Sequence, residues 1–145
     1  MEAMKKFLKA ITMIAITLLL TTACEKTADN KTLLTDGIWN FSNMTTDSES
    51  EATQALILLG KALLTEGTME FKDDNSYIIS SPLLQDPQTG TWSLIGDQLI
   101  LDGDGDLLSK PNIETLSKTE LIYSESVLEP DAELNFHKVT TSWSK

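Results

Sequence analysis

Gly90-Thr91-Trp92-Ser93-Leu94-Ile95-Gly96-Asp97-Gln98-Leu99-Ile100-Leu101 is the stretch that decides the fold. Gly96-Asp97 suits a two-residue hairpin turn, which favours a residue able to take positive φ at its first central position. With the turn there, Leu94 falls opposite Leu99 and Trp92 opposite Leu101. Four large apolar side chains then share one face, and a slip of one residue would scatter them.

The same pattern continues outward in both directions. Upstream, Met69 and Phe71 alternate with Glu70, and Asp73-Asp74-Asn75 supplies turn residues. A three-residue loop there sets Phe71 opposite Tyr77 and Met69 opposite Ile79. Gly37 to Ser42, with Trp39 and Phe41, reads as the first strand. Downstream, Ile113 to Leu116 and Glu120 to Val127 flank Ser117-Lys118-Thr119. Both the Leu121–Tyr123 side and the Ile122 side are apolar, so the register of this hairpin stays open. Ala132 to Thr140 is the expected last strand, with Leu134 and Phe136 on one face and Glu133, Asn135 and His137 on the other.

Short strands joined by tight turns pair antiparallel, because parallel neighbours need long crossovers. Regular spacing of consecutive hairpins predicts an all-β chain with one helix, an eight-stranded antiparallel up-and-down β-barrel. The helix lies between strands 1 and 2. Ser48-Glu49-Ser50-Glu51 is a capping-box pattern, and Ala52, Ala55, Leu56, Leu59 and Leu63 follow at helical spacing. Gly67 marks the stop. Ile57, Leu58 and Leu64 widen this apolar side, which is expected to pack on the barrel wall or close one end; a movable lid is the sharper alternative.

The first two dozen residues carry a different message. Lys5, Lys6 and Lys9 precede an apolar run from Ile11 to Leu20, and Thr21-Thr22-Ala23-Cys24 follows. That is the layout of a secretory signal, and the run is too short to span a bilayer, which needs about 20 apolar residues. Its end resembles a bacterial lipoprotein signal, with Cys24, the only cysteine, at the lipidated position. The resemblance implies a signal peptide over 1–23, acyl chains such as palmitate on Cys24, and membrane anchoring. Residues 24–35 are mostly polar and read as a tether, and 36–145 as the barrel domain. The alternative is ordinary secretion with an incidental thiol.

The 145 residues carry a net charge of −11, and removal of Lys5, Lys6, Lys9 and Glu2 with the leader would leave −13. No arginine is present. This balance excludes nucleic acid as a partner and gives no electrostatic grip on anionic lipid.

Taken together, the chain resembles the lipocalins, and more narrowly the small lipocalin-like lipoproteins of Bacteroidetes. Gly37-Ile38-Trp39 matches the Gly-x-Trp of the first strand. Phe71 to Tyr77, Gly90 to Leu99 and Ile113 to Leu121 match recurrent strands and turns. Lipocalins usually set an arginine from the last strand over the first-strand Trp; with none available, Lys138 is the candidate to cover Trp39. The resemblance implies a cell-envelope, extracytoplasmic binding protein, with the outer membrane as the expected location, for a small apolar or amphipathic molecule.

The expected inward set is Trp39, Phe41, Met69, Phe71, Tyr77, Ile79, Trp92, Leu94, Leu99, Leu101, Leu134 and Phe136. The ligand-binding candidates among them are Trp39, Phe41, Met69, Phe71, Tyr77, Trp92, Leu101 and Phe136. A barrel of this size is just wide enough to hold one small ligand or to be filled by side chains. A filled barrel would instead make the protein a structural or interaction module, docking on an envelope protein. Asp102-Gly103-Asp104-Gly105-Asp106 alternates carboxylates as a calcium loop does, but the sixth and twelfth positions hold Leu107 and Ile113 where glycine and an acid are needed, so Asp102, Asp104 and Asp106 are only weak metal suspects. The one histidine, His137, is placed outward, and no catalytic set assembles around it. No enzyme activity and no cofactor are expected.

Overall fold

The computed structural model describes residues 29–103, 107–128 and 135–145. Helix α1 covers 29–35, then come β1 (Ile38–Thr46), α2 (Glu51–Leu64), β2 (Thr68–Phe71), β3 (Ser76–Ser80), β4 (Gln88–Ile95), β5 (Gln98–Gly103), β6 (Leu107–Ser109), β7 (Asn112–Leu116), β8 (Glu120–Leu128) and β9 (Phe136–Ser144). All neighbouring strands pair antiparallel in one sheet, ordered β4-β3-β2-β1-β9-β8-β7-β5-β6, and β4 also pairs with β5. That last pairing closes the ring. β6 and β7 both lie along β5 and are separated by Lys110-Pro111, so together they occupy one place in an eight-stranded barrel. Pro111 has no N–H to give the ladder, but its carbonyl still accepts from the Leu99 N–H at 2.9 Å and carries the strand across the break.

Closure brings the first and last strands together, as the reading of the sequence requires. Phe41 stands opposite Trp143, and Met44 opposite Thr141. Both hairpin registers expected from the sequence are present: Phe71↔Tyr77 with Met69↔Ile79, and Trp92↔Leu101 with Leu94↔Leu99. At the second turn Gly96 has φ +62° while Asp97 does not take positive φ, the type II′ pattern. At the first turn Asn75 takes φ +65°, and Asp74 Oδ1 accepts from the Ser76 N–H at 2.9 Å and hydroxyl at 2.6 Å. These bonds favour the ionised carboxylate and lower the Asp74 pKa.

The last strand differs from the expectation by one residue of phase. β9 buries His137, Val139, Thr141 and Trp143, and turns Phe136 and Lys138 outward; Phe136 is 67% exposed. Trp143 lay beyond the expected end of the strand. Its ring packs edge-on to Phe41 at 5.5 Å and sets the register that the local Leu134–Phe136 alternation could not. Leu134 lies outside the described residues. The open register of the β7–β8 hairpin resolves with Leu121 and Tyr123 inward, opposite Leu116 and Ile113. A register shift between Ile113 and Thr115 lets residues three apart face the same side.

Part of the stretch read as a tether is structured: residues 29–35 are helical and Leu34 is completely buried. Two further expectations need correction. The N-cap of α2 is Ser50, whose Oγ accepts from the Thr53 N–H, while Ser48 Oγ accepts from the Ser50 N–H one turn earlier. α2 is also rotated from the expected stripe. It buries Thr53 and Ile57 and turns Leu56, Leu58 and Leu59 to solvent, with Leu63 37% exposed. β2 pairs with β1 only as far as Asn40↔Thr68, so the upper half of β1 lacks that partner. α2 packs against β1 there, where a Cβ on Gly60 would sit 3.1 Å from Met44 Sδ. Glycine at this position lets the Thr53–Ile57–Gly60 face come close to β1; a larger residue would need the flexible Met44 side chain to give by a few tenths of an ångström.

Candidate functional site

The barrel interior divides into two halves. The lower half is filled. Trp39, Met69, Phe71, Leu99 and Leu121 are essentially inaccessible, and Trp92 packs edge-on to Phe71 at 5.3 Å. α1 plugs this end. Trp39 Nε1 donates to the Leu34 carbonyl at 2.9 Å, and Trp92 Nε1 donates to the Lys72 carbonyl at 3.1 Å. These two buried indoles have their partners, as burial favours, while the Trp143 Nε1, also buried, has none among the described residues.

Lys145, just past β9, lies 4.3 Å above the Trp39 ring and donates to the carbonyls of Leu33 (3.1 Å) and Asp36. Lys138, the residue expected in this role, is on the outer surface, paired with Glu114. The correction follows from the phase of β9: residue 138 points out. Lys138 and the Ser124 hydroxyl together lower the Glu114 pKa.

The upper half holds a cavity of about 430 Å³, lined by Tyr77 and Ile79 of β3, Gln88 and Thr89 of β4, Leu101 and Gly103 of β5, and Ser109 of β6. Its origin is visible in the β4–β5 ladder. Trp92 and Leu101 fill one inward-facing pair; the next inward pair is Gly90↔Gly103, which presents no side chains. The space cannot be filled at Gly90, because a Cβ there would sit 2.3 Å from the Asp102 carbonyl oxygen and 2.8 Å from the Tyr77 ring. The volume falls within the ~300–1,000 Å³ of small-molecule sites.

Of the ligand-binding candidates, Tyr77 and Leu101 line this cavity. Trp39, Met69, Phe71 and Trp92 belong to the packed half, and Phe41 is half-buried against Trp143. Phe136 is on the outside and can take no part in an interior site. Asp102 is exposed on β5, Asp104 and Asp106 lie outside the described residues, and so does Cys24. Among the described residues no group of three or more His, Cys, Asp or Glu side chains could hold a metal ion.

The sequence reading missed the polar residues on the opposite wall. Tyr123 is buried, and burial pushes its phenol up to about 12, with the Trp143 and Thr141 side chains countering and Glu125 reinforcing it. Glu125 Oε2 accepts from Ser109 Oγ at 2.8 Å. The signal for them was the parity of β8: once Leu121 and Tyr123 are inward, Glu125 follows on the same face.

A closed antiparallel barrel, plugged at one end and hollow at the other, defines a class: a calyx for a small ligand. The profile of the lipocalin-like domain family matches residues 35–123, and the chain belongs to that family. The fold is similar to the crystal structure of a DUF4847 family protein from Bacteroides vulgatus ATCC 8482, with a TM-score of 0.47 and 9% identity over 77% of this chain and 93% of that one. A search of curated proteins finds no match. The lipocalin-like barrel is typically a binding fold for small hydrophobic ligands rather than a catalytic one.

Proposed function

We propose that this protein is a lipid-anchored, extracytoplasmic carrier that holds a small apolar or amphipathic molecule in the upper half of its barrel. The observation that carries the reading is the cavity of about 430 Å³ between Tyr77, Ile79, Leu101 and Ser109, above the packed half of the barrel. Interiors pack to crystal-like density, so a space of this size beside a pair of glycines is a feature to be used. The anchor rests on the resemblance of residues 1–24 to a lipoprotein signal.

Two experiments test it. Nile red, a neutral apolar dye, should bind the full chain carrying Cys24→Ala, and Ile79→Trp, which fills the cavity, should abolish that binding. Absence of dye binding by the unfilled barrel overturns the carrier reading. For the anchor, Cys24→Ala should move the protein from the membrane to the soluble fraction; unchanged membrane association overturns it.

A second reading has one observation of its own. Leu56, Leu59 and Leu63 form a stripe on the outer side of α2, with Leu58 and Leu83 also exposed. A solvent-facing apolar stripe of this kind suits docking on an envelope protein. Leu59→Glu should leave dye binding intact and weaken such an association.

A further inference from the structure

We infer that the cavity selects its ligand by head group, using Glu125 as the acceptor, and takes an amphiphile with an ammonium head over one with a carboxylate head. The inference deepens the carrier reading and rests on it.

The position of Glu125 is the starting point. On β8, Leu121 and Tyr123 are buried on the inward face, while Ser124, on the other face and also buried, donates to Glu114. Glu125 is next on the inward face and stands opposite Val139, which is buried. Its Oε2 accepts from Ser109 Oγ at 2.8 Å, and Ser109, opposite Leu101, lines the cavity. Glu125 is not itself among the residues lining the cavity, but its carboxylate sits directly behind the Ser109 hydroxyl that does line this largely apolar space. Two carboxylate oxygens offer about four acceptor sites, and one hydroxyl uses one of them.

The charges around it leave the site anionic. Among the described residues no lysine lines the cavity, and Lys110, next to Ser109, is exposed. Lys138 is outside with Glu114, and Lys145 and Lys31 are at the plugged end, over Trp39 and Trp92. His137, opposite Val127 on the inward face of β9, is the other titratable side chain of that wall besides Tyr123. The raised Tyr123 keeps a neutral hydroxyl there, so its wall adds no second negative charge.

A ligand carboxylate brought beside Glu125 would set two anions together where water screens them poorly. An ammonium head would instead form a charge-assisted hydrogen bond, the stronger kind. Its alkyl body would lie against Ile79 and Leu101. The head group is thus read by one residue and the tail by ordinary apolar burial.

Decylamine, decanol and decanoic acid differ only in the head and separate the two effects. Titration calorimetry on the full chain carrying Cys24→Ala should rank them amine, alcohol, acid, with about a ten-fold or larger gap from amine to acid, as expected for one hydrogen bond to a charged group. Glu125→Gln, close in shape, should bring amine and alcohol to within about three-fold, roughly the loss of that one bond. If the unaltered barrel binds the three equally or prefers the acid, head-group selection is wrong and the carrier reading stands. The same holds if Glu125→Gln leaves the amine preference unchanged. If none of the three binds and Nile red also fails, the carrier reading itself has failed.

Discussion

The two ends of this barrel are built from the same strands and do opposite things. At the plugged end the inward neighbours are large: Trp39 faces Met69, Leu94 faces Leu99, and Phe71 packs edge-on to Trp92. Further along the β4–β5 ladder, Gly90 faces Gly103 and a cavity opens. Stability is concentrated where packing is complete, and the capacity to bind where packing has been withheld. A small barrel has room for both only if it divides its length between them.

The largest expected effect tests that division directly. Trp39→Ala should cost about 3–5 kcal/mol, as large core truncations do, because it empties the plugged end and strands the Leu34 carbonyl and the Lys145 ammonium. Ile79→Ala, at the half-buried cavity wall, should cost about 1 kcal/mol, since much of its surface is not in tight contact. Denaturant unfolding of the two variants measures both. Equal losses would mean that the ends are not different in packing.

How far the sequence foretold this division depends on the element. The β2–β3 and β4–β5 hairpins were legible to the residue, because each combines strict alternation with a turn whose loop length sets the register. β9 was not, because apolar residues occur at both parities: Phe136 on one and Val139 on the other. The deciding residue, Trp143, acts through Phe41, about a hundred positions away. α2 was legible as a helix but not in its rotation, which depends on the contact of Gly60 with Met44. The packed half of the interior was readable as a list of large residues. The cavity was not, since it arises from two glycines meeting across a ladder. Glu125 was hidden behind the open register of β8.

The next effect is set by pH. Tyr123 is held at about 12 in the fold against an ordinary value of 10.0. A raised folded value means that the stability linked to the neutral phenol is complete below pH 10 and is lost as pH rises toward 12. Two units correspond to about 3 kcal/mol by linkage. Alkaline unfolding followed by tyrosinate absorbance should therefore begin between these values, and Tyr123→Phe should delay it. An unchanged alkaline midpoint in the variant would place the weakness elsewhere.

Lys145→Met should cost about 1–2 kcal/mol, the range of a partly desolvated cation over an indole. The thioether stem keeps the apolar cover of Trp39 while the charge and the bonds to Leu33 and Asp36 are lost. The same change at Lys138, on the exposed pair with Glu114, should cost about 0–1 kcal/mol. Thermal unfolding of the two variants distinguishes the lysine that caps the plug from the one that the sequence nominated.

The smallest effect has the opposite sign and belongs to the helix that covers the upper half of β1. Thr53 is 1% exposed on the buried side of α2, and its hydroxyl has no hydrogen-bond partner among the described residues. A buried hydroxyl without a partner costs about 1–3 kcal/mol relative to one in water, while valine has nearly the same shape and no such demand. Thr53→Val should therefore raise the melting temperature, with a gain of about 1 kcal/mol once the limited tolerance of helices for a β-branched residue, already present in threonine, cancels. A loss instead would mean that the hydroxyl is used. The gain would show the reverse: that the open end is held by an interface with an avoidable defect, consistent with a half of the molecule shaped by binding rather than by stability.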